Sequence, residues 1–250
     1  MNTGEIISLF RTEVSDTEQP YLWTDNEVIA YLNDAYTMII RFTGGVPDST
    51  SSITNIPIPG GSKKVSISES IIRIVRAFRQ SDGSEISIIE ATDAPLVRDT
   101  SGRLSLLRPG SASGPIEFLI LGGDRNKAAL HPIPVTNETL ILQVRRMPIS
   151  KLESYADELT DLSEEHHIHL LHWMKASAYR KQDADTLDMD KATLNESLFL
   201  AYCEQTAYEH ERFRRKSRIS LRTERDLQNP MLMNGGNTPK RGGRPAPVEG

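Results

Sequence analysis

The chain has 250 residues, 38% of them hydrophobic, one cysteine and a formal charge of −5 at pH 7. Those figures describe a chain that can bury a core without disulfides, and they exclude a wholly disordered polymer and a disulfide-stapled secreted domain. The charge is segregated: from Arg212 to Gly250 ten Lys and Arg stand against three acids, a local +7, which leaves −12 on the preceding 211 residues.

The opening MNTGEIISLFRTE has neither the basic start nor the apolar centre of an export signal, and no later run approaches the roughly 20 apolar residues of a membrane span. The expectation is a soluble protein made in the cytoplasm and not exported, with no membrane partner. Ile6, Phe10 and Val14, helped by Ile7 and Leu9, predict a short helix that ends before Pro20. Thr24-Asp25-Asn26-Glu27 has the form of a capping box, and behind it Val28, Leu32, Ala35, Ile39 and Phe42 recur at helical spacing until Gly44-Gly45 and Pro47 stop the run. From about Ser52 to Pro148 short β-branched runs alternate with turn residues. Ile72 to Arg79 and Glu85 to Ile89 flank Asp82-Gly83, and Ile116 to Leu121 and Ala128 to Ile133 flank Gly122-Gly123-Asp124, so two hairpins are predicted. Ser101 to Pro115 reads as an exposed loop, and Leu140, Leu142 and Val144 alternate as one buried strand face. Helical spacing returns after Asp161-Leu162-Ser163-Glu164. It predicts one helix to about Lys181 and a second from about Asp188 to Arg215, with Leu194, Leu198, Ala201 and Tyr208 on its apolar face. Beyond Arg218 the period fades, and glycines and prolines mark an unstructured end.

The predicted architecture is α+β. Residues 1–50 and 151–217 supply the helices of one bundle, because each set alone would leave an apolar stripe exposed. Residues 51–150 form an inserted antiparallel β domain, and residues 218–250 an extended basic tail.

Four of the six histidines lie in EEHHIHLLHWM, Glu164 to Met174. On a helical wheel of about 100° per residue His167 falls on the apolar stripe with Leu170, Leu171, Met174 and Ala178, while His166, His169 and His172 sit at about 260°, 200° and 140° from it. They are expected to fan over the wetter side without converging. No histidine has another four residues on, and Glu164-x-x-His167 has no second copy to complete a carboxylate-bridged di-metal set, so no metal site is assigned. The acidic turn from Asp183 to Asp190 lacks the glycine and glutamate of a calcium loop and reads as a capped, solvated turn. Cys203 reads as buried filler, and no nucleophile elbow or phosphate loop is present, so no catalytic residue and no cofactor are assigned.

The basic segment is the strongest candidate for partner binding; for Arg212 to Arg218 a solvated helix end, whose cations complement the helix dipole, is an equal reading. Arg212, Arg214, Arg215, Lys216, Arg218, Arg222 and Arg225 supply cations, and Met231, Leu232 and Met233 supply apolar surface that docking would bury. The alternative is a nucleic-acid-binding module that uses the same cations on phosphates, although Phe213 is the only aromatic there to stack on a base.

Three stretches carry a resemblance: YLWTDNEVIAYLNDAYTMIIRF, HPIPVTNETLILQVRRMP and HHIHLLHWMKASAYRKQDADTLDMDKATLNESLFLAYCEQ. In order and spacing, over most of Met1 to about Arg215, the chain resembles the head-to-tail adaptor (connector, head completion) proteins of tailed bacteriophages. The resemblance implies a structural virion protein at the head–tail interface rather than an enzyme. It implies a twelvefold ring of copies under the portal protein that joins it to a tail tube or nozzle protein. Genome DNA would pass through the ring without specific binding. It also implies that the C-terminal extension, from about Arg212, reaches onto the portal.

Overall fold

The computed structural model describes residues 1–93, 96–98, 104–106, 112–182 and 186–227. Asn2 opens α1 (Thr3–Glu13) with a capping box that was not read from the sequence: its side chain accepts from the Glu5 amide at 2.9 Å, and the Glu5 carboxylate accepts from the Asn2 amide at 3.0 Å. The box at Thr24 does start α2 (Asp25–Phe42), whose buried stripe is Val28, Leu32, Ala35 and Ile39 together with Tyr36 and Ile40. The helix stops where expected, at Gly44 and Gly45, with φ of +89° and +86°. A Cβ on Gly45 would come within 2.9 Å of the Ile72 side chain and 3.2 Å of the Arg146 amide, so this turn needs glycine both for its torsion and for the close approach of the sheet.

Ten strands follow: β1 (Val46–Asp48), β2 (Asn55–Ile58), β3 (Lys64–Ser66), β4 (Ile71–Arg79), β5 (Glu85–Glu90), β6 (Leu96–Arg98), β7 (Leu104–Leu106), β8 (Phe118–Asp124), β9 (Lys127–His131) and β10 (Glu138–Arg146). Eight of them make one sheet in the order β1-β10-β4-β5-β8-β9-β3, with β2 also on β10; β6 and β7 pair with each other, β7 inside the stretch expected to be loop. The insert is not purely antiparallel. β5 runs parallel to β8, from Ser87 against Phe118 to Glu90 against Leu121. The long connection between them returns the chain in the same direction, which a tight turn cannot do. The β4–β5 hairpin turns at Gly83 as predicted, with φ +69°. The second hairpin differs. β8 continues to Asp124, Arg125 and Asn126 form its turn, and Gly122, at φ +84°, lies where the register shifts, as in a β-bulge. The inward face of β10 is the predicted one: Leu140, Leu142 and Val144 are buried against Ile74, Ala77, Ile86, Leu119 and Leu130.

A second core holds the helices. The chain returns along α1, where Thr3 and Gly4 donate to the Asp157 and Tyr155 carbonyls, and then forms a 3-10 segment (Glu164–His169), α3 (Leu170–Tyr179) and α4 (Met189–Leu227). Phe10, Trp23, Leu32, Ile39, Leu170, Met174, Phe199 and Cys203 share this core, so helices from both ends of the chain pack together. Trp23 donates to the Ala178 carbonyl at 3.2 Å, and Asn33 exchanges two 2.8 Å bonds with the Leu152 backbone. Asp161 caps nothing: Ser163 precedes the 3-10 segment without a side-chain bond, and Asp161 instead grips Arg146 with two 2.8 Å bonds. Arg146 also donates through Nε to Asp48, tying β10 to β1 and to the segment that leads into α3.

Two compact units are distinguished, Met1–Ala207 and Tyr208–Gly250. In the second, the described residues continue α4 to Leu227, twelve residues past the predicted end. Residues 218–227 are therefore helical and not extended tail: after Asp188 no Gly or Pro intervenes before Pro230, and Arg, Leu and Glu favour helix.

Candidate protein-interaction surfaces

The histidines do converge, contrary to the wheel. At three residues per turn the 3-10 segment eclipses positions i and i+3, so His166 and His169 share one side. His166 Nδ1 lies 2.7 Å from the Tyr202 hydroxyl. The His169 ring stacks on Tyr202 with centroids 3.4 Å apart, and His172 Nδ1 lies 3.4 Å from Asn195 Oδ1. All three thus meet α4. Burial, and then the neighbouring His172 and His166, hold the His169 imidazole below its usual pKa. His167 is buried as predicted; its Nε2 is 3.1 Å from the Leu162 carbonyl, which can only accept, so the proton sits on Nε2. No group of three or more His, Cys, Asp or Glu among the described residues is arranged to hold a metal ion. Asp183 to Asp185 lie outside the described residues, and Asp188 caps the start of α4 by accepting from the Lys191 amide at 3.0 Å. Cys203 is buried, and burial pushes its thiol up to about 12.

The apolar face of α4 is a different one from that predicted. Ala192, Asn195, Phe199, Cys203 and Thr206 face the core, while Leu194 is 57% exposed, Leu198 45% and Tyr208 68%, with Ala201 also exposed. Asn195 and Thr206 disguise the true stripe in the sequence, and Trp173, whose ring lies 5.0 Å from Phe199, fixes it in the fold. A row of leucines is thereby left outward. On the sheet, Ile72 and Val75 are 46% and 51% exposed beside exposed Arg73 and Arg76. They stand at one wall of a groove of about 500 Å³ whose other wall includes Ile88 and Leu121. Sequence reasoning missed this face. Its signal is the run IIRIVRAFRQ, which has apolar residues on both sides of the pleat and three arginines without an acid.

Of the predicted partner-binding residues, Arg212 is exposed. Arg214, Arg215, Lys216, Arg218, Arg222 and Arg225 all occupy positions in α4, and Met231, Leu232 and Met233 lie outside the described residues. Positions 214, 218, 222 and 225 recur at i, i+4, i+8 and i+11, within about 80° of one another on an ideal helix.

The outward face of α4 and the β4 face of the sheet both leave large apolar side chains exposed. A family model described as SU10 adaptor protein matches residues 1–226. The chain belongs to this phage head-to-tail adaptor family. No curated protein matches it. The family match spans both cores and α4 almost to its end, so the sheet insert, the histidine seam and the cationic helix positions are all parts of the adaptor. Among the described residues no helix is long and apolar enough to cross a membrane.

Proposed function

We propose that this adaptor is a structural virion protein that assembles as a ring of copies on the portal protein, joins it to the tail tube or nozzle, and continues the DNA channel. In this reading the segment from Arg212 docks on the portal. The observation that carries it is the family match over residues 1–226, and the charge distribution agrees with it. Genome DNA must slide through a channel, and a body of −12 repels the phosphate backbone instead of holding it. The +7 segment is attracted to an acidic groove on a protein partner, and positions 214, 218, 222 and 225, all arginine, recur on one side of an ideal helix.

The experiment is removal of residues 212–250 followed by co-sedimentation with portal rings. The truncated chain should keep the melting transition of the helical and sheet cores and lose portal attachment. Attachment at wild-type strength would overturn the assignment of the segment. A gel shift at physiological salt separates the alternative: a nucleic-acid module binds duplex DNA with an affinity that falls steeply with salt, and the adaptor does not.

A further inference from the structure

A ring closes only if each copy carries two different, mutually complementary patches, one for each neighbour. Resting on the ring reading above, we propose that these patches are the outward face of α4 and the β4 face of the sheet: Leu194, Leu198 and Ala201 of one copy pack on Ile72 and Val75 of the next.

Both patches belong to the first compact unit, and both expose side chains that folding leaves uncovered. Positions 194, 198 and 201 follow i, i+4, i+7, the spacing with which a helix lays an apolar row into a groove. Ile72 and Val75 stand at the lip of such a groove. In the pairing with β10 the register shifts twice along β4, between Gln143 and Val144 and between Arg145 and Arg146, which leaves Ile72 and Val75 without a Cα partner on β10. Bulges of this kind turn side chains outward that a regular strand would alternate inward.

Charge selects this pairing from the others available. Asp190 and Lys191 stand one turn before Leu194, Lys191 being paired with Asp188 at 3.1 Å, and Glu204 stands one turn after Ala201, so the charge around the helix row is net acidic. The sheet face carries Arg73 and Arg76 on β4, with Glu90 and Asp124 elsewhere in the groove lining; Asp124 is held by Lys64 at 2.5 Å, and among the described residues Arg76 meets a weak partner, Glu85, at 3.6 Å. Arg73 has no ion pair among the described residues. The run from Ile71 to Gln80 carries three arginines and no acid, within a body of −12. Two helix faces would set acid against acid and two sheet faces arginine against arginine. Only the helix-to-sheet contact matches opposite charges, and only that contact is heterologous.

The test uses the full chain, with sedimentation velocity and native mass spectrometry run alone and on portal rings. Leu194→Asp with Leu198→Asp, and separately Arg73→Glu with Arg76→Glu, should each raise the concentration for half assembly by about tenfold or more, with thermal unfolding of the monomer unchanged. Asp190→Lys with Glu204→Lys should do the same, and combining it with Arg73→Glu and Arg76→Glu should restore assembly, which no folding defect can mimic. If the wild-type chain forms no closed oligomer even on portals, the ring reading fails. If it forms one and the variants assemble equally well, or the charge swap does not rescue, the ring stands and these two surfaces are wrong. If the arginine variants assemble normally but bind duplex DNA less tightly than wild type, the β4 face is a DNA contact and the proposal is overturned.

Discussion

Arg146→Ala should be among the most damaging single changes in the protein outside the apolar cores. The guanidinium is buried on β10 and gives two bonds to Asp161 and one to Asp48, whose side chains are only 19% and 5% exposed. Truncation leaves two carboxylates facing each other with little water, and breaking a buried pair from one side costs about 3 to 5 kcal/mol. For a chain of this size that is a fall in Tm of roughly 6 to 20 °C. Urea unfolding followed by circular dichroism and by the fluorescence of Trp23, in the helical core, and Trp173, packed against it, measures the loss. The pH dependence is a second readout. Burial disfavours the Asp48 carboxylate, but hydrogen bonds from Ser51, Thr50 and Arg146 outweigh it and hold its pKa well below the usual carboxylate range. Its stabilising contribution is therefore complete above about pH 4 and is lost as the pH falls through the folded value. Wild type should lose stability on acidification from about pH 4 downward, and Arg146→Ala should lose less across the same window because the acid-labile part is already gone. A loss below about 1 kcal/mol, the scale of a solvent-exposed pair, would refute the reasoning.

Which face of α4 is core can be decided by two alanines: Phe199→Ala should cost about 3 to 5 kcal/mol in urea unfolding and Leu194→Ala no more than about 0.5 in the isolated chain, the reverse order falsifying the assignment. The histidine seam should weaken below about pH 6.5, because an imidazole held below its usual pKa favours folding while neutral and opposes it once the unfolded form takes up protons. His169→Gln should flatten the fall of Tm between pH 7 and 5, and equal slopes for variant and wild type would count against the seam. Cys203 should resist a thiol reagent at pH 8 in the native protein and react at once in denaturant, since its thiol is buried and pushed up to about 12. Rapid labelling of the native chain would place it at the surface.

What the sequence disclosed, and what it hid, follows from how local each cause is. The Thr24 box, the glycine stop after Phe42, the Gly83 turn and the alternation of Leu140, Leu142 and Val144 are set within a few residues, and each was legible. So was the burial of His167. The failures have non-local causes. Leu194 and Leu198 look more core-like than Asn195 and Thr206, but Trp173 of α3 selects the Phe199 side. The wheel for the histidines assumed α-helix throughout, whereas the first six residues are 3-10, and the change from about 100° to 120° per residue gathers rings that were expected to spread. The parallel pairing of β5 with β8 depends on a crossover that no periodicity reports. Of the candidate surfaces, the cations of the C-terminal segment were visible as composition. The β4 face was not, because bulged strands break the alternation by which an outward face is recognised.

The helical core joins residues far apart in the chain: Asn33 bonds to Leu152, and Trp23 to Ala178. On a ribosome, α1 and α2 emerge first and must wait for α3 and α4. At about 5 to 20 residues per second the interval between Phe42 and Phe199 is on the order of 10 to 30 s. During that time the strands between them can complete their own pairing, while the apolar stripes of the first two helices have nothing to cover them. Newly made chains are therefore vulnerable to aggregation at a defined stage of translation, and shielding by a chaperone should matter most just before the last third of the polypeptide appears.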